Sequence, residues 1–384
     1  MASIRTLVPK AVAGIERACA RADSPEELFE VLEHEVSQAI PHDGSMWFAV
    51  DPATLLATSP ARIEGMDGGY CDTFWHHEFH DNDALLWRNL SRGGPTAASL
   101  RGVTDDRPVR SARYREFLAP QGYDDELRAV FRAGGSTWAM ASFYRTSKSF
   151  AFTPEEVALL CAVSQVIGAA CRTLTLDATT WSASPNAPGL LVFDQRGVLT
   201  SANAEATAWL ADLFGPPEDA EPDSWIAHLS DPAALDLDRP VPVIPLLAHA
   251  RAVALGHENG PAKLRVRDRN GRWLVLHASY LAGSTPTGGG IAVVVEPAKG
   301  SEIAPIIIEA YGLSPRERDV VKGLARGAST PEMARELFLS PHTVRDYIKT
   351  FFEKVGVSSR GELVAKLFAE HYSDPLHDRL VHLD

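Results

Sequence analysis

Within the stretch "SPHTVRDYIKTFFEKVG" (340–356), Arg345 and Asp346 stand one helical turn before Lys349, and Thr343 lies at the segment's start. On a helix, residues three and four apart share a face. That face carries a guanidinium, a carboxylate and an ammonium, a set suited to base edges in the DNA major groove. Arginine pairs with guanine N7 and O6, and aspartate accepts from cytosine N4 or orients the arginine. Thr343 is placed for a phosphate, because the free amides of a helix start favour an anion. Val344, Ile348, Phe351, Phe352 and Val355 recur at helical spacing and are expected to face a core. A plainer reading is a small helical bundle whose polar face is only solvated.

The helices that must hold this face announce their starts. Ser24-Pro25, Thr153-Pro154, Ser314-Pro315, Thr330-Pro331 and Ser340-Pro341 each set a capping hydroxyl before a proline, and the first three add a glutamate at capping-box spacing. From residue 301 no strand pattern occurs. Helices are expected at 315–326, 331–338, 341–355 and 360–372, with Gly327 and Gly356 as C-terminal caps. Ahead of them, residues 1–175 read as helices at 8–22 and 25–39, a strand at 45–51, a hairpin turning on Gly134-Gly135 and a closing helix from Thr153. Residues 176–300 read as the hairpin "GLLVFD"/"VLTSAN", the helix "AEATAWLADLF", strands flanking Asn270-Gly271 and a last strand, "GGGIAVVVEP". Between these lies a stretch rich in proline (Pro216, Pro217, Pro222, Pro232, Pro240, Pro242, Pro245), expected to be irregular or extended. The fold class is therefore multidomain α+β: two antiparallel-sheet domains, 1–175 and 176–300, then an all-α domain, 301–384, with its core at 312–372.

Composition narrows the function. The formal charge is −13 over 384 residues, which argues against coating nucleic acid by bulk electrostatics. Residues 312–372 hold 10 Lys and Arg against 8 Asp and Glu, a net +2 that leaves −15 for the rest. The C-terminal region is thus the piece compatible with DNA. No uninterrupted apolar run long enough to span a bilayer is read, and the N-terminus lacks the pattern of a cleaved leader, so a cytoplasmic chain with no membrane partner is expected. Cys19, Cys71, Cys161 and Cys171 show no CxxC spacing and read as reduced and mostly structural. No nucleophile elbow, phosphate-cradling glycine loop or ordered metal triad occurs, which counts against an enzyme carrying a helical adaptor.

The run from "LSPRERDVV" through "SPHTVRDYIKTFFEKVGVSSRGELVAKL" resembles the helix-turn-helix domain of the LuxR family of bacterial transcription regulators over some fifty residues without a gap. The resemblance implies base-reading positions at Arg345, Asp346 and Lys349, with Thr343, Lys354 and Arg360 on the backbone. It further implies an operator in double-stranded DNA, a homodimer matching two-fold half-sites and RNA polymerase as a further partner. The first region resembles a GAF domain through "SARYREFLAPQGYDDELRAVFRAGGSTWAMASFYR" and "FTPEEVALL", and the second a PAS domain through "GLLVFDQRGVLTSANAEATAWL". Both families commonly hold small molecules, which implies a small-molecule effector and no fixed cofactor. The alternative is a constitutive dimer whose front domains are purely structural.

An effector site is expected in "YCDTFWHHEFHDNDALLW", where Tyr70, Phe74, Trp75, Phe79, Asp83 and Trp87 combine aromatic surface with one carboxylate. These aromatics read equally as core. The spacing of Tyr70, Phe74, Phe79 and Asp83 is similar to the acyl-homoserine-lactone site of quorum-sensing members, whose remaining pattern is not evident here. His76, His77 and His80 are spaced for a shared metal on a helix, but the order HHEFH is not HExxH, and a solvated polar face is the expectation, with no metal assigned. Cys71 beside them is a candidate redox switch for which nothing nearby lowers the thiol pKa.

Overall fold

A computed structural model of the chain describes residues 4–66, 70–177, 187–215, 224–230, 242–282, 289–298, 313–325 and 327–359, with a few more between 302 and 311 and at 361–362. The chain divides into two compact units, Met1–Pro297 and Ala298–Asp384.

The first unit is built on two five-stranded antiparallel sheets. Strands β1 (Gly44–Val50), β2 (Ala57–Glu64), β3 (Ala97–Ser99), β4 (Tyr123–Ala133) and β5 (Ser136–Thr146) form one, in the order β2-β1-β5-β4-β3. Strands β6 (Gly189–Asp194), β7 (Leu199–Ala202), β8 (Lys263–Arg267), β9 (Trp273–Leu281) and β10 (Gly290–Pro297) form the other, in the order β7-β6-β10-β9-β8. The β4–β5 hairpin turns on Gly134 and Gly135, both at positive φ, as a two-residue turn of the right hand for twisted strands requires. Alternation then sorts the side chains of β1. Trp47 lies with Phe29, Phe131 and Phe143 and donates from Nε1 to Glu33 Oε2 at 2.7 Å. Its neighbour Phe48 turns to the opposite face, toward Trp75 and Trp87. Helix Pro154–Asp177 presses close on β4, since a Cβ added at Gly168 would meet the Arg132 backbone at 2.7 Å.

The two sheets share this unit and meet at a seam. Edge strands β2 and β8 lie against each other, and helix Cys71–His80 packs on helix Val243–Ala254. The buried Asp51 carboxylate accepts from Arg265 N and Arg265 Nη1, both at 3.0 Å. Arg88 Nη1 reaches Glu258 Oε1 at 2.6 Å, and His80 Nε2 lies 3.2 Å from the Ala248 carbonyl.

Several expectations need correction. Strands β2 and β3 carry no clear alternation and were not foreseen; Pro60 lies in β2, which as an edge strand tolerates a residue with no amide to donate. Part of the proline-rich stretch is helical, as Ser224–Ser230 and Val243–Ala254, while 216–223 and 231–241 lie outside the described residues. Pro242 is the N-cap and Pro245 sits in the first turn of Val243–Ala254, where a missing amide costs nothing. One helix, Pro154–Thr175, is after all long and apolar enough to cross a membrane by length and composition; here it packs on β4 and β5 with Leu160, Val163 and Ile167 buried.

In the second unit, helices Pro315–Ala325, Thr330–Glu336 and Pro341–Val355 enclose Val320, Val321, Met333, Val344, Phe351 and Val355. The fourth expected helix, 360–372, lies outside the described residues apart from 361–362.

Candidate nucleic-acid interface and aromatic segment

Each of these three helices starts on a serine cap. Ser314 and Glu317 exchange bonds across the start of Pro315–Ala325. Ser329 and Glu332 form the full capping box of Thr330–Glu336, so the cap is Ser329 and Thr330 is already helical. Glu332, three residues beyond Ser329, decides between the two hydroxyls. Ser340 Oγ accepts from Thr343 N at 3.1 Å and opens Pro341–Val355, which ends on Gly356 in the left-handed region.

This last helix buries Val344, Phe351 and Val355 and exposes Arg345, Asp346 and Lys349 together. Ile348 and Phe352, expected in the core, are only half-buried. They line a shallow depression with Arg345 and Lys349, because the buried stripe follows positions 344, 351 and 355 and the helix turns the other two toward its rim. Asp346 Oδ2 lies 2.9 Å from His342 Nδ1, and Lys349 Nζ lies 3.9 Å from Glu353 Oε1, both exposed pairs of small energetic weight. Thr343 is half-buried, its Oγ1 2.9 Å from Ser340 Oγ.

Lys354 stands differently. Its Nζ lies 2.8 and 2.9 Å from the two oxygens of Glu317, tying the last helix to the start of Pro315–Ala325. Burial would raise the Glu317 carboxyl, but Lys354 and the Ser314 amide outweigh it and hold it below the usual range. The ammonium expected on a phosphate is thus already engaged within the fold, by a partner 37 residues away that no local pattern reveals. Arg360 lies outside the described residues.

Between the helices, Phe338 occupies the left-handed region at φ 55° with 95% of its surface exposed. Its ring gains little packing to offset the strain. Phe338→Gly is expected to stabilise the second unit by about 0.5–1 kcal/mol, after subtracting the added freedom of glycine in the unfolded chain. Thermal unfolding of the full chain measures this; a loss of stability would mean the ring is held by a contact.

The aromatic segment divides. Helix Cys71–His80 and Trp87 bring Trp75, Phe79 and Trp87 to a cavity at the seam. Phe74 is core, against Phe117 and the Arg128 guanidinium, and Tyr70 packs on Phe117. Asp83 accepts from Ser111 Oγ at 2.8 Å and from Arg113 N at 3.1 Å; burial opposes its charge, but these bonds and Arg113 lower its pKa. Its work is to fold the loop. Behind the segment a buried ion network joins it to β4: Arg113 and Arg128 both bond Glu126 Oε1, at 2.6 and 2.8 Å, and Arg128 Nη1 bonds Glu78 Oε2 at 2.6 Å.

The histidines form the expected solvated face only in part, with His76 exposed and His80 half-buried. His77 is buried with Nδ1 2.5 Å from Asp81 Oδ2, and His76 stacks on His80 at the seam. Among the described residues no group of three His, Cys, Asp or Glu is arranged to hold a metal. The Cys71 side chain lies outside them, while Cys19, Cys161 and Cys171 are free thiols, and burial pushes Cys19 up to about 12. The histidine and acid from the opposite side of the seam, His249 and Glu258, were not foreseen, for they lie some 170 residues from the aromatic segment.

A capped helix pair joined by a tight turn, its second helix exposing a mixed polar face, defines the second unit as a helix-turn-helix domain. Residues 312–367 match the family described as "Bacterial regulatory proteins, luxR family". The chain is 42% identical over 55 residues to the spore germination protein GerE of Bacillus subtilis, covering 14% of this chain and 74% of that protein. It is 35% identical over 86 residues to a probable transcriptional regulatory protein NarL of Mycobacterium tuberculosis, covering 22% of this chain and 37% of that one. With the transcriptional regulatory protein UhpA of Escherichia coli it shares 45% identity over 56 residues, 15% of this chain and 29% of that protein. The chain thus spans little more than a third of the NarL relative's length. The chain belongs to the luxR family of bacterial regulatory proteins. A solved complex of phage VqmA with DPO covers 51% of this chain and 87% of that one at 19% identity, with a TM-score of 0.23, too loose a superposition to bear on the fold.

Proposed function

We propose that this chain is a sequence-specific DNA-binding transcription regulator, acting as a homodimer on two-fold-related half-sites and controlled by a small molecule held in the unit Met1–Pro297. The observation that carries the DNA reading is the exposed face of Pro341–Val355, where Arg345, Asp346 and Lys349 project together from a helix whose other side is anchored by Val344, Phe351 and Val355. A helix so anchored fits a major groove, and its backbone already presents the three readers to base edges. In this reading Arg345 takes a guanine and Asp346 leaves His342 to orient Arg345 or accept from cytosine. Lys349 reads beside them, Thr343 and Arg360 contact phosphates, and Lys354 holds the domain together through Glu317. RNA polymerase is the further partner that a promoter-bound regulator meets. The effector acts only through its differential affinity for two arrangements of the protein. The relatives GerE, NarL and UhpA support the class through the matched domain.

Selection from a genomic DNA library by the full-length protein at fixed salt tests this. Arg345→Ala is expected to cost about 1–3 kcal/mol and relax preference at one base position. If the wild type selects no site with or without candidate effectors, the DNA reading falls.

A further inference from the structure

The seam between the two sheets encloses a cavity of 240 Å³. The first sheet's layer supplies an apolar wall of Trp75, Phe79 and Trp87 with Met140 of β5, and the second supplies His249 and the segment around Glu258. We infer that this seam cavity is a binding site for a small neutral aromatic molecule carrying one N–H or O–H group, clamped between the two sheets. The inference rests on the effector control proposed above and names its site and ligand class.

Size sets the first limit. A dry cavity of about 150 Å³ accepts benzene, so this one has room for a substituted ring or a fused pair of rings. The wall sets the second. Trp75 and Phe79 stack nearly parallel, 5.9 Å between centroids, and the thioether of Met140 adds a soft, polarizable surface that pairs well with a ring edge.

Polarity gives the hydrogen-bonding group. Most charged groups at the cavity are already occupied within the protein. Glu78 accepts from Trp87 N at 2.9 Å and from Arg128 at 2.6 Å. Arg88 donates to Glu258, to Glu78 O and to Asp81 O. Two lining groups are exceptions: Thr54 Oγ1 is buried without a hydrogen-bond partner, and so is His249 Nδ1, on a ring that is 7% exposed and packs edge-on against Phe79. A buried ring nitrogen without a partner is rare in a folded protein and calls for one. Burial lowers the His249 pKa, so the imidazole is neutral and offers one donor or one acceptor according to tautomer.

Charge settles the rest. Glu78, Arg88 and Glu258 are already paired within the protein and Arg92 is exposed, so no buried unpaired charge awaits a counter-charge on the ligand, which favours a neutral one. A further wall is the turn 53–55, where Leu55 is held in the left-handed region at φ 60°. Strained backbone of this kind concentrates where a site must keep its shape. Because the walls come from both sheets, an occupant touches both and stabilises the closed seam.

The test uses ¹⁹F NMR on the full-length protein with 5-fluoroindole and 4-fluorophenol as probes and fluorobenzene as the ring without a hydrogen-bonding group. Saturable line broadening is expected for the first two, with fluorobenzene binding about tenfold more weakly. His249→Phe, which keeps the packing, should weaken the two polar probes about tenfold and leave fluorobenzene unchanged. Ala53→Trp, at the exposed mouth, should abolish binding of all three without unfolding the chain, as far-UV circular dichroism checks. The inference is overturned if neither polar probe broadens, or if Ala53→Trp leaves the broadening intact. DNA selection by the same samples separates the two readings: selection that persists while no probe binds removes only this site, and probe binding without selection removes only the DNA reading.

Discussion

Glu126→Gln is expected to cost the first unit about 3–5 kcal/mol, because it removes the ion-pair partner of the buried Arg113 guanidinium and leaves that of Arg128 with Glu78 alone. All three side chains of the central triad are fully buried, so solvent cannot screen the loss. Burial by itself would raise the Glu126 carboxyl, but the Arg113 and Arg128 charges outweigh it and hold the group below the usual carboxylate range. A carboxyl with a depressed folded-state pKa contributes stability that is fully present above its unfolded value of about 4.3 and is lost as pH falls through the folded one. Urea unfolding should therefore show the wild type losing stability below about pH 4.3, and Glu126→Gln lacking that component. Replacing Arg113, Glu126 and Arg128 together by apolar residues of similar volume should cost far less than the single change, since no charge is then left stranded. A single-variant cost under about 1 kcal/mol would mean that water reaches the triad. The network matters for the candidate site as well, because Glu78 and Arg128 fasten Cys71–His80 and Trp87 to β4, and these carry the aromatic wall of the seam cavity.

What could be read from the sequence follows the range of the interactions. The hairpin at Gly134-Gly135, the turn at Asn270-Gly271 and the helix starts at Ser24, Thr153, Ser314 and Ser340 rest on bonds between residues a few positions apart, and these are where expected and observed elements agree. The exposed face of Pro341–Val355 was legible for the same reason. Ile348 and Phe352 show the limit: periodicity marks them as apolar, but how far each is covered depends on helices elsewhere in the domain. Longer range hid the rest. Glu317 pairs with Lys354 across 37 positions, and Asp83 bonds Ser111 and Arg113 nearly thirty residues on. The seam itself joins residues about 170 to 210 positions apart, and nothing in local spacing connects "WHHEFH" to "LLAHA".

Among the polar contacts that cross the seam, magnitudes single out one. The Arg88–Glu258 pair is about one-fifth exposed on both sides and is partly screened, and the His80 contact to Ala248 O is a neutral hydrogen bond worth about 1 kcal/mol. Asp51 is buried, takes Arg265 through both its backbone and its guanidinium, and also accepts from Ala53 N at 2.9 Å to shape the turn that walls the cavity. Asp51→Ala is therefore expected to cost about 3 kcal/mol, to speed hydrogen exchange in β8, and to weaken probe binding at the seam, while β4 and β5 keep their protection. The change Arg265→Met should cost at least as much, because it strands the fully buried Asp51 carboxylate with amide donors alone, and a double-mutant cycle of the two should return a coupling above about 1 kcal/mol. Additive effects would mean that apolar packing of β2 on β8 holds the sheets together without the ion pair. A joint that depends on one buried carboxylate can open without unfolding either sheet, which is the bistable element that an effector bound at the seam would need in order to act.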